Sequence, residues 1–178
     1  NLTRLMIANG HRRIAFINGD EHFTYALYRR QGVIDALLDA GLSPANVTVL
    51  NSLHPMGEAG FKLTTQALSD PEVTAILYSS TLMAVEGHAA VVRAGGGRRL
   101  DIATMDDELH YIDLSPFNDQ FSFVRSSLRD AGHALMAELL RQCEDGEAPG
   151  GHVIPSSWHP LPHLDCRVLD EPLPATRR

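Results

Sequence analysis

The chain has 178 residues, 44% of them hydrophobic, with 22 acidic and 15 basic side chains and a formal charge of −7. That length suits one ordinary domain or two small lobes, and the acidic balance excludes a grip on nucleic acid through net charge. Lys62 is the sole lysine, and the two cysteines, Cys143 and Cys166, are too few for a disulfide framework, which favours free thiols in a reducing, cytoplasmic setting. No apolar run approaches the roughly 20 residues that cross a bilayer, so no membrane contact is expected.

The chain opens inside an apolar helical face (Leu2, Leu5, Met6), as if it were the back part of something longer. Residues 2–9 read as the end of a helix closed by Asn9-Gly10, since glycine suits the left-handed cap. Arg13 to Asn18 is a strand-length apolar run. Residues 24–40 are helical, with Tyr25, Tyr28, Gly32, Val33, Ala36, Leu37 and Ala40 on one face. Val47 to Leu50 is a second strand. Pro55 opens a second full helix through Ala59, Gly60, Leu63 and Ala67, which Asp70-Pro71 ends. Thr74 to Ser79 is a third strand, residues 82–94 a further helix before Gly95-Gly96-Gly97, and Leu100 to Met105 a fourth strand.

Strands alternating with helices imply a parallel sheet with right-handed crossovers, and consecutive apolar residues imply strands covered on both faces. The fold class expected is therefore α/β, a three-layer doubly wound parallel sheet. After residue 107 the alternation breaks. Residues 108–120 read as loop with a short helical turn, Phe121 to Val124 as a strand, residues 126–144 as a long amphipathic helix, and His152 to Ile154 as a last short strand. The proline-rich stretch beyond Pro160 reads as a loose tail.

Ligands of open parallel sheets bind beyond the carboxyl ends of the strands. Gly19 to Thr24, Leu53-His54-Pro55, Ser79-Ser80-Thr81 and Asp106-Asp107-Glu108 lie at that edge. An aspartate there suits a cap or turn, but it also sits where it can accept hydrogen bonds from ligand hydroxyls. Arg29, one turn into its helix, offers the planar fork of donors that fits vicinal hydroxyls or a carboxylate.

At these residues the chain resembles the lactose-repressor (LacI/GalR) family. Gly10-His11-Arg12-Arg13-Ile14-Ala15-Phe16-Ile17 looks like its helix-to-strand junction, and Arg29-Arg30-Gln31-Gly32 is similar to its Arg-x-x-Gly helix. Glu58-Ala59-Gly60-Phe61, Thr74 to Leu77 with Leu82-Met83-Ala84, Asp106-Asp107 and Val124-Arg125-Ser126 follow in family order. The resemblance covers about residues 2–156. It implies a periplasmic-binding-protein-like regulatory domain with one lobe nearly complete: residues 1–124 as the C-terminal lobe, 125–156 as a crossover, helix and strand belonging to the N-terminal lobe, and 157–178 as a tail. It further implies a small-molecule effector, a sugar or sugar derivative, held between the lobes; a homodimer; and operator DNA contacted only through a helix-turn-helix absent from this chain.

By position the resemblance makes Arg29 and Asp106 the effector-binding residues, with Asp107 capping or orienting the loop. Ser80 and Thr81 stand where many members carry Asn and Asp, and Ser126 replaces a common Gln. Near Pro55 members often present an aromatic face, for which His54 is the substitute here. The expected ligand-binding set is thus Arg29, Asp106, Ser80, His54 and Ser126, with no cofactor.

Rival readings carry weaker signals. Ser79-Ser80-Thr81 lacks the glycines of a nucleophile elbow, and neither a dinucleotide fingerprint nor a phosphate loop is present, so no enzyme is expected. A transport sugar-binding protein of the same architecture is the alternative. His159, His163, Asp165 and Cys166 gather possible zinc ligands, but Pro160 and Pro162 exclude the helix that would align the histidines, and no metal site is expected. Leu128, Leu135 and Leu139 form a stripe on the long helix that reads as core; if its covering lobe is missing, it favours self-association.

Overall fold

The computed structural model describes residues 1–54, 58–95, 99–106, 112–146 and 150–169. A six-stranded sheet runs in the order β2-β1-β3-β4-β5-β6, built from β1 (Ile14–Asn18), β2 (Val47–Asn51), β3 (Ala75–Tyr78), β4 (Asp101–Asp106), β5 (Phe121–Ser126) and β6 (Ser156–His159). All neighbours pair in parallel except β5 and β6, which are antiparallel. The helices are α1 (Leu2–Ala8), α2 (Thr24–Asp39), α3 (Ala59–Leu68), α4 (Thr81–Ala94) and α5 (Leu128–Asp145).

The pleat of β1 sorts its side chains between two cores. Ile14 and Phe16 join Leu2, Leu5 and Met6 of α1 and Val33 and Leu37 of α2 on one face. Ala15 and Ile17 join Ala67 of α3 and Met83 and Ala84 of α4 on the other. All five β1 residues are buried, as a central strand covered on both sides must be. The three-layer α/β arrangement expected from the alternation is the one observed.

Two glycines set the spacing of the second face. A Cβ at Gly60 would overlap the Met83 carbonyl, and one at Gly87 would overlap the Tyr78 hydroxyl and Thr64 Oγ1. These absences let α3 lie close against α4, over a buried hydrogen bond of 2.6 Å between Thr64 Oγ1 and the Tyr78 hydroxyl.

The C-terminal part departs from the sequence reading. The last strand is Ser156–His159 rather than residues 152–154, and Val153 is 93% exposed. Backbone pairing with β5 sets this register: Trp158 sits opposite Val124 and supplies the strand's inward contact. The stretch after Pro160 is not loose as far as residue 169. Leu161 and Leu164 are buried in the α1/α2 core, and Asn9 exchanges hydrogen bonds with the backbone of Asp165, at 2.7 and 3.0 Å. Along α5 the leucine stripe is not core in this chain, because Leu128, Leu135 and Leu139 are each more than half exposed.

At the amino end of the strands, Asp101 of β4 is buried and clamped by two rings. His11 Nε2 lies 2.9 Å from one carboxylate oxygen and His163 Nε2 2.9 Å from the other. With His11 Nδ1 2.9 Å from Thr74 Oγ1, the consistent arrangement is a neutral His11 that donates to Asp101 and accepts from Thr74. Burial holds the His11 pKa below its usual value, outweighing the pull of Asp101. Burial alone would raise Asp101, but the hydrogen bonds from His163 and His11 outweigh it and lower its pKa.

Two outcomes follow from this packing. Gly60→Ala should cost about 1–3 kcal/mol by overpacking, whereas Gly32→Ala on α2, where nothing lies within 4 Å of the added Cβ, should stabilise by about 0.5–1 kcal/mol; urea denaturation of both variants checks the contrast. Depressed histidine and aspartate pKa values both mean that the unfolded chain binds more protons as pH falls, so stability present above pH 6.5 is lost progressively below it. Thermal unfolding should shift to lower temperature from pH 7 to pH 5, less steeply in His11→Gln; equal slopes in the two proteins would contradict the clamp's contribution.

Candidate functional site

Because β1 to β5 are parallel, their carboxyl ends share one border. Strand order reverses at β1, whose neighbours β2 and β3 lie on opposite sides. A crevice opens at such a switch point because the chain leaves the two strands toward opposite faces of the sheet.

Arg29 projects from the first half of α2 across this border. Its Nη1 donates to the Ser79 carbonyl at 3.0 Å, just beyond the end of β3. Its guanidinium carbon sits 5.0 Å from the centre of the Tyr25 ring, one helical turn earlier. Half-buried and fixed at both contacts, the guanidinium has restricted freedom and is preorganised. It lines a cavity of about 180 Å³ with Tyr28, Phe16, Met105, Val124 and Trp158 among its walls.

Ser80 occupies the N-cap position of α4, yet its side chain makes no capping hydrogen bond. It stands next to the Ser79 carbonyl that receives Arg29. Thr81 Oγ1 donates to the Met105 carbonyl at 2.9 Å and so ties the start of α4 to the end of β4. The next residue is Asp106, which ends β4 in register with Arg125 of β5. Its side chain, like Pro55 and residues 107–111, lies outside the described residues.

The other expected positions lie apart from Arg29. His54 is exposed after β2 and lines a separate, open cavity of about 700 Å³ with Ser52, Glu58, Phe61 and Lys62. Ser126 ends β5, where its hydroxyl lies 3.2 Å from that of Ser156. Arg29, Ser80 and the end of β4 therefore form one neighbourhood, while His54 and Ser126 flank it on either side.

The sequence reading missed aromatic side chains at this border. Tyr25 and Tyr28, which share one helical face with Val33, Ala36 and Leu37, are 46% and 76% exposed. Within the same turn Ala26 is buried and its carbonyl accepts from Asn18 Nδ2 at the end of β1, at 3.0 Å, so the two tyrosines lie to one side of that contact, open to solvent. Phe23 stacks on Tyr25 with ring centres 5.7 Å apart and planes 18° off parallel. The four-residue spacing of Tyr25 and Arg29 was the available signal, because i and i+4 side chains meet on a helix. Nearby, Asp20 accepts from the backbone and ring of His22, at 2.9 and 2.7 Å. These bonds depress its pKa and fix the turn into α2.

Among the described residues no cluster of side chains has metal-ligand geometry, and no helix is long and apolar enough to cross a membrane. Residues 3–160 match the periplasmic binding protein-like domain model. The HTH-type transcriptional regulator AglR of Rhizobium meliloti (strain 1021) is 36% identical over 140 residues, which are 77% of this chain and 39% of that protein. The lactose repressor bound to the anti-inducer ONPF superposes with a TM-score of 0.76 at 22% identity, over 89% of this chain and 58% of the other. A LacI family transcriptional regulator from Bifidobacterium animalis subsp. lactis gives 0.75 at 20% identity, over 90% and 59%. The transcriptional regulator CelR in complex with cellobiose gives 0.68 at 23%, over 88% and 48%. At these identities the solved structures establish the fold. The chain spans less than two thirds of the length of each of these proteins.

Proposed function

Since this chain belongs to the periplasmic binding protein-like domain family, we propose that it is the effector-sensing part of a LacI-type transcriptional regulator, binding a small polar metabolite, a sugar or sugar derivative. The observation that carries this reading is Arg29. A half-buried guanidinium is braced between the Ser79 carbonyl and the Tyr25 ring at the border where parallel sheets take their ligands.

In this reading Arg29 and Asp106 supply charge-assisted hydrogen bonds to effector hydroxyls, each worth about 1.5–3 kcal/mol. Ser80 adds a donor and acceptor beside them, with His54 and Ser126 at the margins. The role is binding, without catalysis or a cofactor. Residues 1–124 form one lobe and residues 125–156 reach into a second. The bare leucines of α5 support that division, because an amphipathic helix with an uncovered apolar stripe is half of a packing pair. The effector, bridging the lobes, shifts the population between open and closed arrangements, and a homodimer passes that shift to operator DNA through a helix-turn-helix outside this chain. The regulator's name carried by the 36% identical relative weighs against a transport binding protein.

Thermal-shift screening of the full-length protein against mono- and disaccharides tests the proposal. At least one sugar should raise Tm, and Arg29→Ala should weaken its binding by roughly 10- to 150-fold, enough to remove the shift. A shift that survives Arg29→Ala would place the effector elsewhere.

A further inference from the structure

We propose that residues 160–169 form a proton-sensitive strap, docked across the amino border of the sheet while His11 and His163 are neutral and released as a unit when both are charged. The strap lies at the border opposite the effector site, and the inference stands independently of the effector-sensing role.

The strap is held at spaced points by anchors far away in sequence. Leu161 and Leu164 enter the α1/α2 core, and Arg167–Leu169 turn against α1. The Leu161 amide donates to Ser122 Oγ at 3.0 Å, and the Asp165 amide to Asn9 Oδ1 at 2.7 Å. Between these anchors Pro162, His163 and Cys166 are exposed. The strap is therefore a single layer of chain with water along its outer side, a segment that can open locally while the sheet stays intact.

Its titratable anchor is His163, and the cluster that His163 joins holds one negative charge. Asp101 takes His11 and His163 on separate oxygens, each at 2.9 Å. Arg99, at the approach to β4, lies 3.4 Å from the same carboxylate, and Arg12 adds a second cation beside His11. Thr74, before β3, contributes a hydroxyl, and Asp165 of the strap is paired with Arg167. With both rings neutral, each gives one N–H to Asp101 and the cluster is satisfied. With both rings charged, one carboxylate faces four cations. Histidine is the side chain that makes this change between pH 5 and 8.

The two histidines differ in what they can do about it. His11 is buried in the α1–β1 junction, where water screens it little, and burial already holds its pKa below the usual value. His163 is half-exposed on a strap that can move away. Its departure removes one cation from the cluster and opens His11 to water, at the loss of the apolar seats of Leu161 and Leu164. Released, the chain binds more protons than docked, so release grows as pH falls below about 6.5.

Hydrogen exchange of the full-length protein, corrected for the intrinsic effect of pH, tests this. The probes are the Leu164 and Asp165 amides, bonded to the Leu161 carbonyl and to Asn9. From pH 7.0 to 5.5 their protection should fall about 10-fold, through an opening that low urea barely affects because it exposes little surface. His163→Gln and His11→Gln keep a donor for Asp101 without the charge, and each should cut the fall to under about threefold. His163→Gln changes a half-exposed side chain, so it reports even if His11→Gln fails to fold. Protection that stays constant with pH would overturn the strap's proton sensitivity. So would a full 10-fold fall that persists in His163→Gln. Strap amides that exchange only together with Phe16 of β1, at the same protection and the same urea dependence, would overturn release as a separate unit.

Discussion

Parallel strand pairing is the constraint on which the rest of this molecule depends. It sends β1 through β5 out of the sheet on one border and brings their starts to the other. Both faces of the sheet are sealed by apolar cores, so polar side chains collect at the two borders. The strand order then makes the borders unequal, because only at the carboxyl ends does the reversal at β1 open a crevice.

The two ends of β4 show how differently the borders are used. Its first residue, Asp101, is buried, and both oxygens are taken by His11 and His163. That carboxylate is saturated with protein partners, so its work is mechanical: it staples the α1–β1 junction and the segment after β6 to the sheet. At the other end, the Met105 carbonyl is fixed by Thr81, which presets the backbone leading into Asp106. The opposite border thus stabilises the frame, while the carboxyl border holds groups with donors still to spend. Arg29 fits the second description, since one bond and one ring contact orient it without exhausting it.

Most of the frame was legible because its signals are local. β1, β3 and β4 are short apolar runs, and α2 was placed at 24–40 against the observed Thr24–Asp39. β6 was not legible: as an edge strand it begins on two serines and turns only Trp158 inward, so the more apolar His152-Val153-Ile154 attracted the reading instead. The packed stretch around Leu161 and Leu164 was hidden for another reason. Its anchors are Asp101 and Asn9, which meet it only through the tertiary fold. At the candidate site, the position of Arg29 at the border could be inferred from helix phase and fold type. The exposure of Tyr25 could not, because helical periodicity tells which side a residue takes and not whether anything covers it there.

The central claim is that the effector is met at the carboxyl border of the parallel sheet. Backbone amide chemical-shift mapping of the isotope-labelled protein during titration with the sugar that stabilises it tests this most directly. The account predicts that the largest perturbations fall at residues 18–29, 79–81 and 104–106, the ends of β1, β3 and β4 with the first turns of α2 and α4. Perturbations centred instead on His11, Thr74, Asp101 and His163, with the carboxyl border silent, would contradict it.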